Sequence, residues 1–183
     1  MPADRSRLRE IIRALSYREG DFVLASGKRS SFYVDLRRTS LSAEGSALIG
    51  EALLEVIEAA GWKPAAVGGL TLGADPLATA TSLAYFRAGR NVGAFIVRKE
   101  AKGHGAGRLV EMAGDVADGS DVVVLDDTCT TGGSTLKAIE AMQAAGYNVL
   151  GAACIVDRTE GGEELLAAAG HKLVRVFALA DLR

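Results

Sequence analysis

A mostly parallel central sheet flanked by helices, an α/β fold preceded by a small N-terminal hood, is what this chain predicts. Three observations lead there. Short apolar runs of β type alternate with amphipathic helical stretches, the pattern of a parallel sheet covered on both faces. Gly61, Gly89, Gly146 and Gly170 each follow a helical stretch, where a C-terminal cap favours glycine. The run Val122-Val123-Val124-Leu125 ends on Asp126-Asp127 and passes through Thr128-Cys129-Thr130-Thr131-Gly132-Gly133-Ser134-Thr135 into a helical pattern, a strand, loop and helix in one segment.

Taken in order, a charged start gives way to a helix around residues 8–15. The stretch 22–35 then reads as two short extended pieces around Ser26-Gly27-Lys28-Arg29, a hairpin-like hood. Leu48, Ile49, Ala52, Leu53, Val56 and Ile57 form the apolar stripe of a second helix. Strands follow at 65–69, 92–97, 122–125, 149–156 and 173–177, with helices at 77–86, 136–145 and 163–169 between them. No long linker, repeat or low-complexity tract interrupts this order. Residues 1–183 are therefore expected to form one domain, with residues 1–40 supplying the first helix and the hood.

Composition bounds the function. With 183 residues, 49% hydrophobic and 24% charged, the chain has the makeup of an ordinary soluble domain able to bury a full core. A net charge of −2 and the lack of a Lys/Arg arm argue against nucleic acid as a partner. The charged N-terminus reads neither as a signal peptide nor as a membrane span, so a cytoplasmic protein with no membrane partner is expected. Two cysteines, Cys129 and Cys154, are too few for a zinc site or a disulfide framework. Cys129 falls within the loop, yet only His104 and His171 exist as partners for a thiolate, and packing is its first expected role.

The segment after Val122 carries the chemistry. Carboxyl ends of parallel strands face the ligand crevice, so Asp126 and Asp127 are expected at its mouth, pointing different ways. Carboxylates do not attract phosphate. They accept hydrogen bonds from sugar hydroxyls, or hold Mg²⁺ directly or through water. Residues 130–135 do the opposite, offering N–H groups, hydroxyls and the positive end of a helix to a phosphate monoester. Helix capping alone accounts for one hydroxyl, not for two acids, four hydroxyls and two glycines together. Gly133 is followed by Ser134 rather than lysine, so this is not a nucleoside triphosphate loop of the G-x-x-x-x-G-K-[ST] kind. A diol and a phosphate recognised in one short segment indicate a phosphorylated sugar.

Residues 98–108, directly after a predicted buried strand, hold four cations and His104 among three glycines. A charge run alone reads as a solvated turn. A loop able to bring Arg98, Lys99, Lys102 and His104 over a departing diphosphate would compensate its developing charge away from water. His104 lies between Gly103 and Gly105, which excludes a regular core position, and its near-neutral titration suits either proton donation or a charged contact.

These segments carry a resemblance. Leu125 to Ser134 resembles the phosphoribosyl pyrophosphate (PRPP) motif of type I phosphoribosyltransferases. Arg98-Lys99-Glu100-Ala101-Lys102-Gly103-His104-Gly105 resembles the R-K-x-x-K-x-H-G signature of orotate phosphoribosyltransferases. The resemblance implies transfer of ribose 5-phosphate from PRPP to orotate, giving orotidine 5′-monophosphate and pyrophosphate in pyrimidine biosynthesis. It implies Mg²⁺, held mainly through PRPP and water. It also implies a homodimer in which the 98–108 loop reaches the neighbouring subunit's site. By position, Asp126 and Asp127 contact ribose, Thr128 and Thr130 to Ser134 hold the phosphate, and Thr71, Arg98, Lys99, Lys102 and His104 serve pyrophosphate. Catalytic roles fall on Lys102, His104, Asp126 and Asp127.

On the acceptor side, residues 22–33 resemble the family's hood, whose aromatic residues line the orotate pocket; Phe32 and Tyr33 take that place, with ordinary strand packing as the competing expectation. Thr130 is also implied as an orotate contact. Asp157-Arg158 resembles the family's D-R pair, and a guanidinium at a strand end can fork onto the orotate carboxylate. The chain departs from the pattern at Ala25, where many family members carry lysine, and at Gly73, where some do. Residues 68–76 still resemble the pyrophosphate loop, although Thr71 and Asp75 are equally placed to cap a helix near Pro76. Two other readings stay open: a phosphoribosyltransferase for another base, and a non-catalytic regulator that binds PRPP.

Overall fold

The computed structural model describes residues 3–23, 29–100 and 109–183. Its centre is a six-stranded sheet of β3 (Ala66–Leu70), β4 (Gly93–Val97), β5 (Val110–Met112), β6 (Asp121–Cys129), β7 (Asn148–Asp157) and β8 (Leu173–Ala178), in the order β5-β4-β3-β6-β7-β8. All neighbours are parallel except β5, which runs antiparallel along the edge of β4. Strand order reverses between β3 and β6. A crevice opens at the carboxyl ends of two strands whose connections leave in opposite directions, and that is where such sheets bind ligands.

Helices cover both faces. On one face α3 (Ala43–Ala59) and α4 (Ala74–Arg87) pack on the sheet, with α1 (Arg5–Leu15) and the short α2 (Arg37–Ser40) against α3. Leu8, Ile12, Ile49, Leu53, Ile57 and Leu77 meet Val123, Leu125 and Ile155 there. On the other face α5 (Gly133–Ala144) and α6 (Gly162–Ala168) bring Ala138, Ile139, Met142 and Leu166 onto Val122, Val124, Ala152 and Cys154. Alternate residues of β6 thus feed opposite cores, as the pleat requires. At about 25 cal/mol per Å², burying residues of this kind on both faces supplies the main force for folding. The chain closes with a 3₁₀ turn over Leu179–Leu182.

The N-terminal hood is an antiparallel pair, β1 (Tyr17–Val23) and β2 (Arg29–Val34), separate from the main sheet. Asp4 caps α1 by accepting the Arg7 N–H at 2.9 Å, and Ser42 caps α3 by accepting that of Gly45 at 3.2 Å. No helix among the described residues is long and apolar enough to cross a membrane.

Among the described residues every strand and helix expected from the sequence is present, with different ends; Ala25 and the hood's expected turn at Ser26 to Lys28 lie outside them. The largest difference is in β6. It continues through Asp126, Asp127 and Thr128 to Cys129, because the equally long β7 keeps pairing with it, Thr128 opposite Val156 and Cys129 opposite Asp157. The acids therefore belong to the strand, and the loop is only the three residues 130–132. Strand β5, helix α2 and the closing turn were not expected; each is too short to show a period. The four glycines after helices all adopt positive φ, between +77° and +88°.

Candidate active site

The crevice between β3 and β6 is walled by two loops. From β3, Thr71 and Leu72 are joined by a cis peptide and lead through Gly73 into α4. The Thr71 hydroxyl donates to Asp75 Oδ2 at 2.7 Å, and the Thr71 N–H to the Val97 carbonyl at 2.9 Å, so this loop is fixed to its own helix and to β4. Neither Thr71 nor Asp75 caps α4, whose N-cap is Gly73 with no side-chain hydrogen bond; the two side chains bond to each other instead, because the helix starts at Ala74, before Asp75. From β6, residues 130–132 turn into α5. Gly132 sits at φ +77°, a left-handed conformation that a side chain would strain, and no side chain caps the helix behind it. The leading N–H groups of a 12-residue helix are thereby presented at the loop.

The acidic pair stands between these loops, pointing two ways as expected. Asp126 turns toward α5, where its Oδ2 accepts the Thr135 hydroxyl at 2.5 Å and the Ser134 hydroxyl at 2.9 Å. Asp127 turns toward the β3 loop and accepts its neighbour's N–H, that of Thr128, at 2.7 Å. A Cβ added to Gly73 would lie 2.9 Å from the Asp127 carboxyl carbon. This gives Gly73 a physical reason: the Asp127 carboxylate fills the volume a side chain would need. Ser134, at the start of α5, thus joins the loop to the acidic pair through its hydroxyl.

Both acids are half-buried and no cation lies within hydrogen-bond reach of either among the described residues. Burial pushes the Asp126 carboxyl up to about 6, helped by the charge of Asp127 and opposed by the two hydroxyls. Burial raises Asp127 as well, against the pull of the Thr128 N–H and of Arg37. A pair of neighbouring carboxylates held above their ordinary range is poised to take hydroxyl donors or a cation. Cys129, fully buried beneath the loop, has its thiol pushed up to about 11, by burial first and by Asp126 and Asp157 next. It is a packing residue and not a nucleophile.

Beyond β7 the Asp157-Arg158 pair divides its labour. Asp157, buried to 1%, accepts the Thr159 N–H at 2.8 Å and the Arg175 guanidinium at 2.9 Å, fixing a turn in which Thr159 takes φ +56°. Arg158, 9% exposed, is held by its N–H on the Cys129 carbonyl at 2.9 Å. Its guanidinium lies 4.7 Å from the Phe32 ring centre and pairs with Glu160 through Nε at 2.9 Å and Nη2 at 2.7 Å. The hood therefore reaches the crevice through Phe32. Phe32 and Tyr33 do not share a face: Phe32 stacks with Tyr17 and is buried, whereas Tyr33 is exposed and meets Phe22 on the other side. Successive strand residues cannot both line one wall. Only Phe32 stands beside Arg158, and it does so while stacked on Tyr17.

Of the cationic loop, Arg98 and Lys99 lie within the described residues, and Lys102 and His104 lie outside them. The Arg98 N–H donates to the Leu109 carbonyl at 2.7 Å and its guanidinium pairs with Glu111 at 2.8 Å, so the loop's two ends are tied together next to Ser134. Thr130, Thr131 and Thr128 gather with Gly132 and Gly133 at the end of β6.

One position packed against the loop has no counterpart in the sequence reading. Gly162, the first residue of α6, presses on the loop from behind: an added Cβ would lie 2.4 Å from Cys129 Sγ and 3.0 Å from the Thr130 carbonyl oxygen. Gly132 in turn packs on the Gly162 carbonyl. The Gly161-Gly162 doublet was the available signal, and it was indistinguishable from an ordinary turn.

Comparison with known proteins matches residues 40–173 to the phosphoribosyl transferase domain family. The orotate phosphoribosyltransferase of Mycobacterium tuberculosis H37Rv is 47% identical over 179 residues, 98% of this chain and 96% of that protein. That of Corynebacterium glutamicum strain R is 46% identical over 178 residues, 97% and 93% of the two chains. Among solved structures, the M. tuberculosis orotate phosphoribosyltransferase in complex with PRPP superposes with a TM-score of 0.82 at 43% identity, covering 98% of both chains. Likeness of this extent, on a sheet whose reversal point carries the acidic pair and the phosphate-shaped loop, shows the family: the chain belongs to the phosphoribosyltransferases and, within them, to the orotate phosphoribosyltransferases.

Proposed function

We propose that residues 1–183 act as one phosphoribosyltransferase domain. It moves ribose 5-phosphate from PRPP to orotate, releasing pyrophosphate and forming orotidine 5′-monophosphate in cytoplasmic pyrimidine synthesis. The observation that carries this reading is the juxtaposition, at one strand end, of two carboxylates with no cation partner among the described residues and a helix N-terminus without a side-chain cap. Asp126 and Asp127 accept the ribose hydroxyls. The N–H groups of residues 130–134, with the hydroxyls of Thr130 and Thr131, take the 5′-phosphate. Across the crevice the backbone at Thr71 to Gly73 faces the pyrophosphate, with Arg98 and Lys99 at the foot of the cationic loop.

A ring nitrogen of orotate bonds to the anomeric carbon as the carbon–oxygen bond to pyrophosphate breaks. Charge builds on the sugar and on the leaving group, so positioning and electrostatics suffice and no protein nucleophile is needed. Arg158 holds the orotate carboxylate over Phe32, while Lys102 and His104 stabilise or protonate the departing pyrophosphate. Mg²⁺ fits this donor set. Among the described residues no cluster of three or more acidic, His or Cys side chains could hold a metal alone. One or two carboxylates with substrate oxygens and water are what Mg²⁺ ordinarily takes, which leaves Asp126 and Asp127 as its protein contacts. Bound there, it would offset the negative charge of PRPP.

Support for PRPP as donor comes from the relative crystallised with it. The direct test is a product assay in which orotate, PRPP and Mg²⁺ are omitted in turn. Product is expected only with all three, and Lys102→Ala is expected to lower kcat by about 100-fold or more, the scale of losing one preorganised charge contact in a transition state. Full turnover in Lys102→Ala, or equal use of a purine base, would reject the assignment.

The dimer follows the family pattern and has a candidate face here. Leu72, Leu83 and Phe86 are 65%, 50% and 70% exposed along one side of α4 and the loop before it. Large apolar side chains grouped this way mark association surfaces. Phe86→Glu is expected to shift a dimer to monomer in sedimentation and to cost roughly tenfold or more in activity, because each site would lose its neighbour's cationic loop.

A further inference from the structure

We infer that Glu160 is a built-in carboxylate stand-in, occupying Arg158 until orotate's own carboxylate replaces it, and that this exchange sets selectivity for carboxylated pyrimidines. The inference rests on the proposed role of Arg158 as the orotate carboxylate's partner. Glu160 Oε1 alone accepts from both Nε and Nη2 of Arg158, at 2.9 and 2.7 Å, and so covers the guanidinium edge that a bound carboxylate would grip with its two oxygens. The two partners are unequal in freedom. Arg158 is 9% exposed, held under its backbone by Cys129 and beside its guanidinium by the Phe32 ring, while the Glu160 side chain is 42% exposed. Glu160 can leave toward water; Arg158 cannot.

A buried guanidinium tolerates loss of its counterion poorly, since its desolvation is no longer offset. A ligand that displaces Glu160 must therefore bring an anionic group to the same place. Orotate does so, and one carboxylate is exchanged for another with the buried charge paired throughout. Uracil, the same ring without the carboxylate, would have to leave Arg158 unpaired or find its place blocked by Glu160. Rejection of the uncharged ring is thus set by the exchange as well as by Arg158. The turn makes this possible: Asp157 locks Thr159 through its N–H, and Thr159 at φ +56° folds Glu160 back onto the residue two before it.

The test measures orotate and PRPP kinetics and orotate affinity for the full chain, Glu160→Ala, Glu160→Gln and Arg158→Ala. Removing the competitor is expected to lower the orotate KM roughly fivefold in Glu160→Ala, the scale of a partly exposed ion pair, with kcat and the PRPP KM unchanged. Glu160→Gln, which keeps the length but loses the charge, is expected to fall between. Uracil should not compete with orotate in the wild type and should become a measurable competitor in Glu160→Ala, where Arg158 has no counterion left to lose; unchanged exclusion of uracil there overturns the role of the exchange in selectivity. A raised or unchanged orotate KM in both Glu160 variants, while Arg158→Ala loses orotate affinity, overturns the stand-in and leaves the Arg158 assignment intact. Retained orotate affinity in Arg158→Ala overturns the reading beneath it.

Discussion

Asp126→Asn is expected to give a protein that melts higher at neutral pH and has lost most of its turnover. The two effects share one cause. Folding buries the Asp126 carboxyl beside Asp127 and lifts it to about 6 from an ordinary value of 3.8. A group raised in this way favours the fold while protonated. Its contribution is fully present below about 3.8 and is lost as the pH rises through about 6, so at neutral pH the ionised acid weighs against the folded state. Asparagine keeps an oxygen to accept the Ser134 and Thr135 hydroxyls and removes the charge. Without ligand at pH 7.5, the gain should be about 1–3 kcal/mol, or roughly 3–8 °C in Tm for a chain of this length.

Under the proposed function, the same substitution also removes a charged acceptor for the ribose hydroxyls and half of the acidic pair offered to Mg²⁺. A charged hydrogen bond of that kind is worth about 1.5–3 kcal/mol, so kcat/KM should fall roughly 10- to 100-fold. Scanning calorimetry across pH separates the effects. The stability difference should shrink as the pH is lowered from 7.5 toward 4, where the wild-type carboxyl is itself protonated. Adding Mg²⁺ and PRPP should stabilise the wild type and barely move the variant, because ligand stabilisation follows affinity. A variant less stable than wild type at pH 7.5 would show that the acid is held by contacts and not opposed by burial.

Such tension between stability and function explains which parts of the site were legible in the sequence. Asp126 and Asp127 break an apolar run where packing would favour valine, and a residue that violates its surroundings stands out. The sheet and its helices were legible because buried strands and amphipathic helices impose periods on the chain. Strand β5 was not, since three residues carry no period and its pairing to Phe95, Ile96 and Val97 is set by an edge left open in three dimensions. The end of β6 was misplaced for a related reason: polar residues after Leu125 read as loop, while the partner strand β7 holds them in register. Phe32 and Tyr33 show the limit of a motif. Adjacent aromatics suggested one wall, and only the hood's pairing reveals that the pleat sends them apart, Phe32 to Arg158 and Tyr33 to Phe22.

Gly162→Ala is expected to damage the loop after β6 through a single added methyl. In most helices this change is helpful, since alanine is the better helix former by about 1 kcal/mol. Here the first residue of α6 touches the floor of the phosphate loop. The new methyl would meet Cys129 Sγ at 2.4 Å, the Thr130 carbonyl oxygen at 3.0 Å and the Gly132 nitrogen at 3.2 Å. None of these is the free end of a flexible side chain: Cys129 is fully buried and the others are backbone. Either α6 withdraws or residues 129–132 are pushed into the crevice, and overpacking of that kind costs about 1–3 kcal/mol. Displacing the loop by even a few tenths of an ångström misaligns the N–H groups offered to the 5′-phosphate. The PRPP KM should therefore rise about tenfold or more. Gly161→Ala is the contrasting case, with open space around the added carbon but φ at +97°, and should lower Tm through backbone strain with a much smaller change in the PRPP KM. Cys129→Ala in the Gly162→Ala background removes the nearest obstacle and should recover part of the lost affinity, a coupling that a double-mutant cycle on the PRPP KM measures directly. An unchanged PRPP KM in Gly162→Ala would mean that the loop does not depend on α6 for its shape.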